Sequence, residues 1–313
     1  MSGYIARRLV ATLPVMAVVA VFVVLLLRLT TGDPAAIIAG DIASAQQIAE
    51  IRSKLGLDRP VAQQFVIWLR HVVAGDFGES FFFRKTVREL ILDRLEPTLA
   101  LTVCTIVLAV AAAIPLGVTA ARNRGTWIDR AVMGLSTIGF SVPVFVIGYT
   151  LVYVFAIYLG WLPVQGYQRL SQGFGGFIER LILPSLALSL LYMALIARIT
   201  RASVLEVLNA DYVRTARAKG LGDLWVMLRH VLRNAAVPIV TVIGLGIALL
   251  VGGVVVTESV FSIPGLGRLT VDAVLARDYP TVQAVVLLVS AVYVLINLLV
   301  DLTYVLLDPR IRY

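Results

Sequence analysis

Few side chains in this sequence could carry covalent chemistry, and their spacing excludes the common schemes. The lysines are Lys54, Lys85 and Lys219. A phosphate-cradling loop needs a lysine followed by serine or threonine after a glycine-rich run, and Lys85-Thr86 follows Arg84 instead. The histidines are His71 and His230, and no HExxH pattern for a catalytic metal occurs. Cys104 is the only cysteine and lies in an apolar stretch, so neither an intramolecular disulfide nor a thiolate metal cluster can form. Glu258 and Asp301 are the acids beside long apolar runs. Ionisable groups deep in a membrane are functional candidates, but these two sit at span ends, where they read as hydrated boundary residues. No catalytic residue, cofactor or metal is expected, and an intramembrane enzyme, which needs a nucleophile with a base or a metal cluster, is disfavoured.

The elements that must position any site are membrane helices. The chain of 313 residues is 59% hydrophobic and 15% charged, against about 45–50% and about 25% in soluble domains. A bilayer core needs roughly 20 apolar helical residues. Six intervals approach that length: Leu9–Leu27, Pro97–Ala121, the stretch after Arg130 to about Leu159, Leu181–Ala197, Asn234–Thr257 and Tyr279–Val300. The fourth is short and borrows neighbours, because Arg180 and Arg198 can snorkel. Asp301 closes the sixth. Pro115, Pro143 and Pro184 are candidate kinks, and Gly244, Gly246, Gly252 and Gly253 allow close helix approach in the fifth span. The first apolar run exceeds a signal-peptide core of about 7–15 residues, so an uncleaved anchor is expected.

The net charge of +8 follows topology. With the N-terminus cytoplasmic, the inner segments hold fourteen Lys and Arg and the short outer segments four; the remaining nine fall in residues 28–94. Positive loops mark the cytoplasmic side. Both termini are therefore expected inside, and no nucleic-acid partner is inferred, since that needs a basic soluble face with recognition elements. The fold class is an all-α integral membrane protein of six spans: an N-terminal helix in residues 1–30, an external helical loop at 31–96, and a five-helix core at 97–313 carrying an inner loop at 198–233.

Two loops are too long to be plain connectors. The external one reads as three amphipathic helices. Ser44 with Gln47 makes a capping box ahead of Ile48, Ile51 and Leu55, with Gly56 as a stop. Pro60 opens a second with Val61, Phe65, Trp68, Leu69 and Val72 on one face, ending near Gly75. Thr86 with Glu89 opens a third, with Val87, Leu90, Ile91 and Leu95 inward. These faces either pack together or on the membrane surface, or dock an external partner. In the inner loop Asn209 or Asp211 caps a helix containing Tyr212, Val213, Arg214, Thr215, Ala216, Arg217, Ala218 and Lys219, and Gly220 ends it. Tyr212, Val213 and Ala216 share a face. Asp223 caps a second helix, in which Leu224, Leu228, Val231 and Leu232 repeat. Such a basic hairpin either lies on anionic lipid or offers a rigid surface for a cytosolic partner to push on.

The residues then match a known pattern. Asp211-Tyr212-Val213-Arg214-Thr215-Ala216-Arg217-Ala218-Lys219-Gly220-Leu221, followed by Leu228-Arg229-His230-Val231-Leu232-Arg233-Asn234-Ala235, resembles the cytoplasmic loop of ATP-binding-cassette importer permeases of the peptide and nickel type. Where the generic pattern has Glu-Ala-Ala, this chain has Arg214-Thr215-Ala216, with Gly220 in register; His230 and Arg233 stand in place of isoleucine and proline. Leu55-Gly56-Leu57-Asp58-Arg59-Pro60 and Gly75-Asp76-Phe77-Gly78-Glu79-Ser80 are similar to the family's external loop, and Leu307-Asp308-Pro309-Arg310 to its C-terminal ending. The resemblance implies a non-enzymatic permease subunit of the bacterial-type inner membrane, working by alternating access. It implies residues 211–220 as the ATPase-docking element, and as partners a second homologous permease, two cytosolic ATP-binding subunits and an external solute-binding protein. Dipeptides or oligopeptides are the expected cargo; nickel or glutathione, or a channel-like protein without an ATPase, are the alternatives.

Overall fold

The computed structural model describes residues 2–29, 35–36, 44–54, 58–80 and 82–307. It is built almost wholly of helices, in two compact units: Met1–Leu95 with Arg268–Val294, and Glu96–Gly267 with Leu295–Tyr313.

In the first unit α1 (Ser2–Leu29) carries its apolar run at Val10–Leu25. Gln283 of the last helix donates to the Val23 carbonyl at 3.2 Å, with both residues buried. The helix α2 (Ala45–Lys54) opens with the expected capping box: Ser44 N–H bonds Gln47 Oε1 at 2.9 Å and Gln47 N–H bonds Ser44 Oγ at 3.3 Å. Leu55, Gly56 and Leu57 lie outside the described residues. Pro60 is the residue before α3 (Val61–Val73) rather than its first, and Gly75, at φ +79°, follows the end as expected. No residue of α3 is buried; along its apolar stripe Phe65, Trp68 and Val72 are partly buried, while Val61 and Leu69 are exposed.

The Gly75–Ser80 stretch is a turn. Asp76 accepts the Gly78 N–H at 2.9 Å and faces His71 Nδ1 at 2.9 Å. A two-residue antiparallel ribbon of β1 (Glu79–Ser80) and β2 (Lys85–Thr86) then modifies the all-helical expectation. Its inward Ser80 donates to the buried Asp278 at 2.5 Å.

The third amphipathic helix and the second span are not separate. They form one 36-residue helix, α4 (Val87–Arg122), and Pro97 does not interrupt it. Thr86 Oγ1 caps it by accepting the Glu89 N–H at 3.3 Å, and Val87, Leu90 and Ile91 are buried as read from the sequence.

The third apolar interval is broken. Two helices, α5 (Trp127–Ser141) and α6 (Val144–Leu151, continued as π-helical turns to Tyr158), meet at 98°. Val142 is extended, at ψ 126°, the conformation that a following proline imposes. Pro143 is therefore the kink the sequence pointed to, whereas Pro115 and Pro184 lie inside continuous helices. The short fourth interval does borrow its neighbours: α7 (Phe174–Leu208) runs 35 residues.

The fifth and sixth apolar intervals of the sequence fall in α10 (Arg233–Gly253) and α13 (Tyr279–Leu307), with α8 (Asp211–Ala218) and α9 (Asp223–Val226) before the former and α11 (Val255–Val260) and α12 (Leu266–Leu275) between them. A Cβ at Gly244 would overlap Val300, and one at Gly246 would lie 3.1 Å from the Tyr192 ring, so these two glycines serve close approach. Asp301 lies inside α13 and does not close it. The Asp308-Pro309-Arg310 ending lies outside the described residues. Four helices among the described residues are long and apolar enough to cross a bilayer, and the broken pair would make a fifth.

Candidate functional site

The inner hairpin is built as a helix, a glycine turn and a second helix. The first, α8, has Ala210 before it rather than a capping side chain; Asn209 ends α7, and Asp211 is the first residue of α8. Asp211 is solvated and suits the positive helix start, and Arg214 approaches it at 3.4 Å. Thr215 Oγ1 donates to the Asp211 carbonyl at 2.9 Å.

The far end of α8 is closed by two bonds. Leu221 N–H reaches the Ala216 carbonyl at 3.4 Å and Gly220 N–H the Arg217 carbonyl at 2.9 Å, with Gly220 at φ +81°. This is the Schellman closure, whose left-handed residue favours glycine. Arg217 pairs with Asp223 at 3.4 Å across the turn.

Of residues 211–220 only Val213 and Ala216 are buried. They seat α8 in an apolar cluster with Ala121, Val204, Val226, Met227, Val231, Ala235 and Ile239. Tyr212, expected to share their face, is 46% exposed. The stripe of the second helix also differs. Leu224 and Leu228 are exposed, while Val226, Met227 and Val231 are buried. Met227–Leu232 is wound as a π-helix, whose i→i+5 pitch places Val231 over Val226 where an α-helical period would not. Asp223 is the first residue of α9, after Gly222.

The outward side therefore presents Tyr212, Leu221, Leu224, Trp225 and Leu228, all exposed, with the Arg229 guanidinium 5.4 Å from the Trp225 ring centroid.

Two polar clusters escaped the sequence. Glu258 is fully buried, which corrects its reading as a hydrated boundary residue. Residues 262–267 fold back over it: Thr98 Oγ1 donates to Glu258 Oε1 at 2.7 Å and accepts the Leu266 N–H at 2.8 Å. A Cβ on Gly265 would overlap the Glu258 carboxylate. The glycines of Pro264-Gly265-Leu266-Gly267 were the available signal, since glycine marks close backbone approach. The second cluster is Arg201 with Asp129. Arg201 Nε lies 2.5 Å from Asp129 Oδ1 and its NH2 2.7 Å from Oδ2; positions 72 residues apart leave no local signal.

Comparison with known proteins identifies the chain. Residues 113–313 match the family described as binding-protein-dependent transport system inner membrane component, and residues 1–102 match its N-terminal companion. The chain belongs to this family. It is thus a permease of an ATP-binding-cassette importer, an inner-membrane transport component rather than an enzyme. Such permeases work with ATP-binding and substrate-binding partners.

Over 313 residues, all of both chains, it is 55% identical to a probable peptide ABC transporter permease protein, y4tP, of Sinorhizobium fredii (strain NBRC 101917 / NGR234). It is 46% identical to the glutathione transport system permease protein GsiC of Salmonella typhi and 45% to that of Escherichia coli (strain K12), again over the whole of both chains. Among solved structures, an inward-facing MetNI methionine ABC transporter shares the fold at TM-score 0.57 and 18% identity, over 70% of this chain and 96% of that one.

Proposed function

We propose that the chain is one half of a peptide translocation pathway and that residues 211–220 dock an ATP-binding subunit. The observation that carries the docking role is the build of residues 211–220: two sunk into the core, eight exposed, and a rigid glycine closure. A short helix held this way passes displacement to the spans, whereas a loose linker would absorb it. The apolar surface beside it, rimmed by cations, suits a protein partner.

In this reading the chain makes six spans with both termini in the cytoplasm, α1 supplying the first and the broken α5–α6 pair the third. Residues 31–96 form the external loop and 97–313 the core. A second homologous permease completes the pathway, two ATP-binding subunits close on the inner hairpins, and an external solute-binding protein delivers cargo. Closure tilts the spans so that the pathway opens outward and then inward. Dipeptides or oligopeptides are the proposed cargo, supported by the 55% identical relative named for peptides. The relatives named for glutathione, itself a small peptide, make it the second choice.

The test is uptake by the complex in proteoliposomes, with its own binding protein, of labelled dipeptides, oligopeptides, glutathione and nickel. ATP-dependent uptake of a peptide supports the proposal. Uptake of nickel alone moves the cargo to the metal, and transport without ATP refutes the docking role.

A further inference from the structure

The second half of the broken pair packs into the apolar core through Val152, Ile147 and Leu151, whereas its first half, α5, lies along α7 on a narrow seam. Among the described residues of α5 only Asp129, Val132 and Ser136 are buried. Their spacing of three and four, with Gly139 next in line, makes one seam along the helix. The opposite faces carry Trp127, Leu135, Ile138 and Phe140, each more than half exposed.

That seam lies on α7, antiparallel to it. Near one end a Cβ at Gly139 would stand 3.1 Å from the Leu190 carbonyl; toward the other, Asp129 meets Arg201. Val132 is the only apolar side chain among the three, and Ser136 Oγ is turned back on its own helix, 2.9 Å from the Val132 carbonyl. At this end the ion pair stands beside the partly buried Ile128 and is the directional contact.

The pair is made for positioning. Two guanidinium nitrogens donate to the two carboxylate oxygens, one to each, a fork that fixes distance and orientation together. Asp129 is 5% exposed, and its Oδ2 also accepts the Gly125 N–H at 3.0 Å. One carboxylate thus gathers the turn after α4, the start of α5 and the end of α7. Arg201 stands ten residues before Asp211 on the path into the hairpin. The cluster seating Val213 and Ala216 includes Ala121 and Val204, from the last turns of α4 and α7.

We infer that Asp129 and Arg201 are positioning residues that make α5 and the hairpin end of α7 one lever, so that displacement of the docking hairpin reaches the break at Val142–Pro143 and turns α6. This rests on the docking role proposed above. Without the fork, α5 keeps its apolar and glycine contacts along α7 but loses the bond that fixes its register there, so displacement of α7 is passed on with slip. ATP is then hydrolysed with little transport.

The complex is reconstituted in proteoliposomes with its partner subunits, and hydrolysis, uptake and melting temperature are measured for D129N and R201K. R201K keeps the charge and loses the fork. The expected result is hydrolysis within about twofold of wild type and uptake per ATP lower by about tenfold or more. An unchanged ratio in R201K, or lower melting temperatures with an unchanged ratio in the surviving complexes, overturns the inference.

Should both variants fail to assemble, the unaltered pair is tested by spin labels at L135C on α5 and L190C on α7, in a C104S background. A separation that stays fixed between nucleotide-free and ATP-bound complexes supports a single lever; a change of several ångströms overturns it. Wild-type complex that takes up no cargo with ATP refutes the proposed function itself, a result independent of the pair.

Discussion

Replacing Gly220 isolates the backbone of the hairpin, proposed above to dock an ATP-binding subunit, from its surroundings. The residue sits at φ +81° and a Cβ there would meet nothing within 4 Å, so substitution adds no steric clash and the whole penalty lies in the left-handed conformation. For an ordinary L-residue that penalty is about 1–2 kcal/mol, and about 1.4 kcal/mol is a tenfold change in population. Asparagine bears the conformation better, and β-branched residues are least suited to positive φ. ATP-driven uptake at matched membrane levels should therefore rank glycine, asparagine, alanine and valine in falling order, with alanine reduced by about five- to thirtyfold and valine abolishing uptake while the protein stays in the membrane. Normal uptake with valine would remove this turn from the mechanism. Asparagine as damaging as valine would show that bulk, not backbone geometry, is what the position rejects.

Further outcomes follow from the buried polar clusters and the external turn. Gly265→Ala drives a methyl group into the Glu258 carboxylate and should destabilise the protein by about 1–3 kcal/mol, read as a lower melting temperature in detergent; no change would mean the loop lies further from Glu258. Thr98→Val keeps the shape and removes two buried hydrogen bonds, a loss of roughly 1–3 kcal/mol by the same measurement. Asp76 is held below its ordinary pKa of 3.8 by the Gly78 N–H first and by His71 second. A depressed carboxylate contributes stability that is full above pH 3.8 and fades as pH falls through its lower folded value. Asp76→Asn should thus speed hydrogen exchange at Gly78 at neutral pH, with the difference shrinking as the pH is lowered below 3.8; an equal effect at both pH values contradicts the assignment.

What the sequence made legible was whatever short-range patterns control. The Ser44–Gln47 capping box and the Thr86 cap are three-residue relations, and both appear. The glycine ending α8 and the extended residue before Pro143 are likewise local necessities. Errors arose where tertiary structure overrides local punctuation. Pro97 looked like a boundary, yet α4 runs through it. The second hairpin helix was read with an α-helical period, and its π-winding changes which side chains turn inward. Glu258 could not be recognised as buried, because its cover comes from a fold-back and from Thr98, 160 residues away. The Asp129–Arg201 pair was invisible for the same reason. The hairpin proposed to dock is legible from resemblance and from the periodicity of Val213 and Ala216; the exposed Leu224, Trp225 and Leu228 beside it needed the structure.

The most direct test of the account is capture of the chain from native membranes in mild detergent, by a tag on its C-terminus, with identification of the co-purifying proteins and assay of ATP hydrolysis. The account predicts a second permease of the same family, P-loop subunits in the same complex, and hydrolysis that persists with the native hairpin and loses its coupling to uptake in Gly220→Val. Recovery of the chain alone, with no ATPase under conditions that keep other membrane complexes intact, would contradict it.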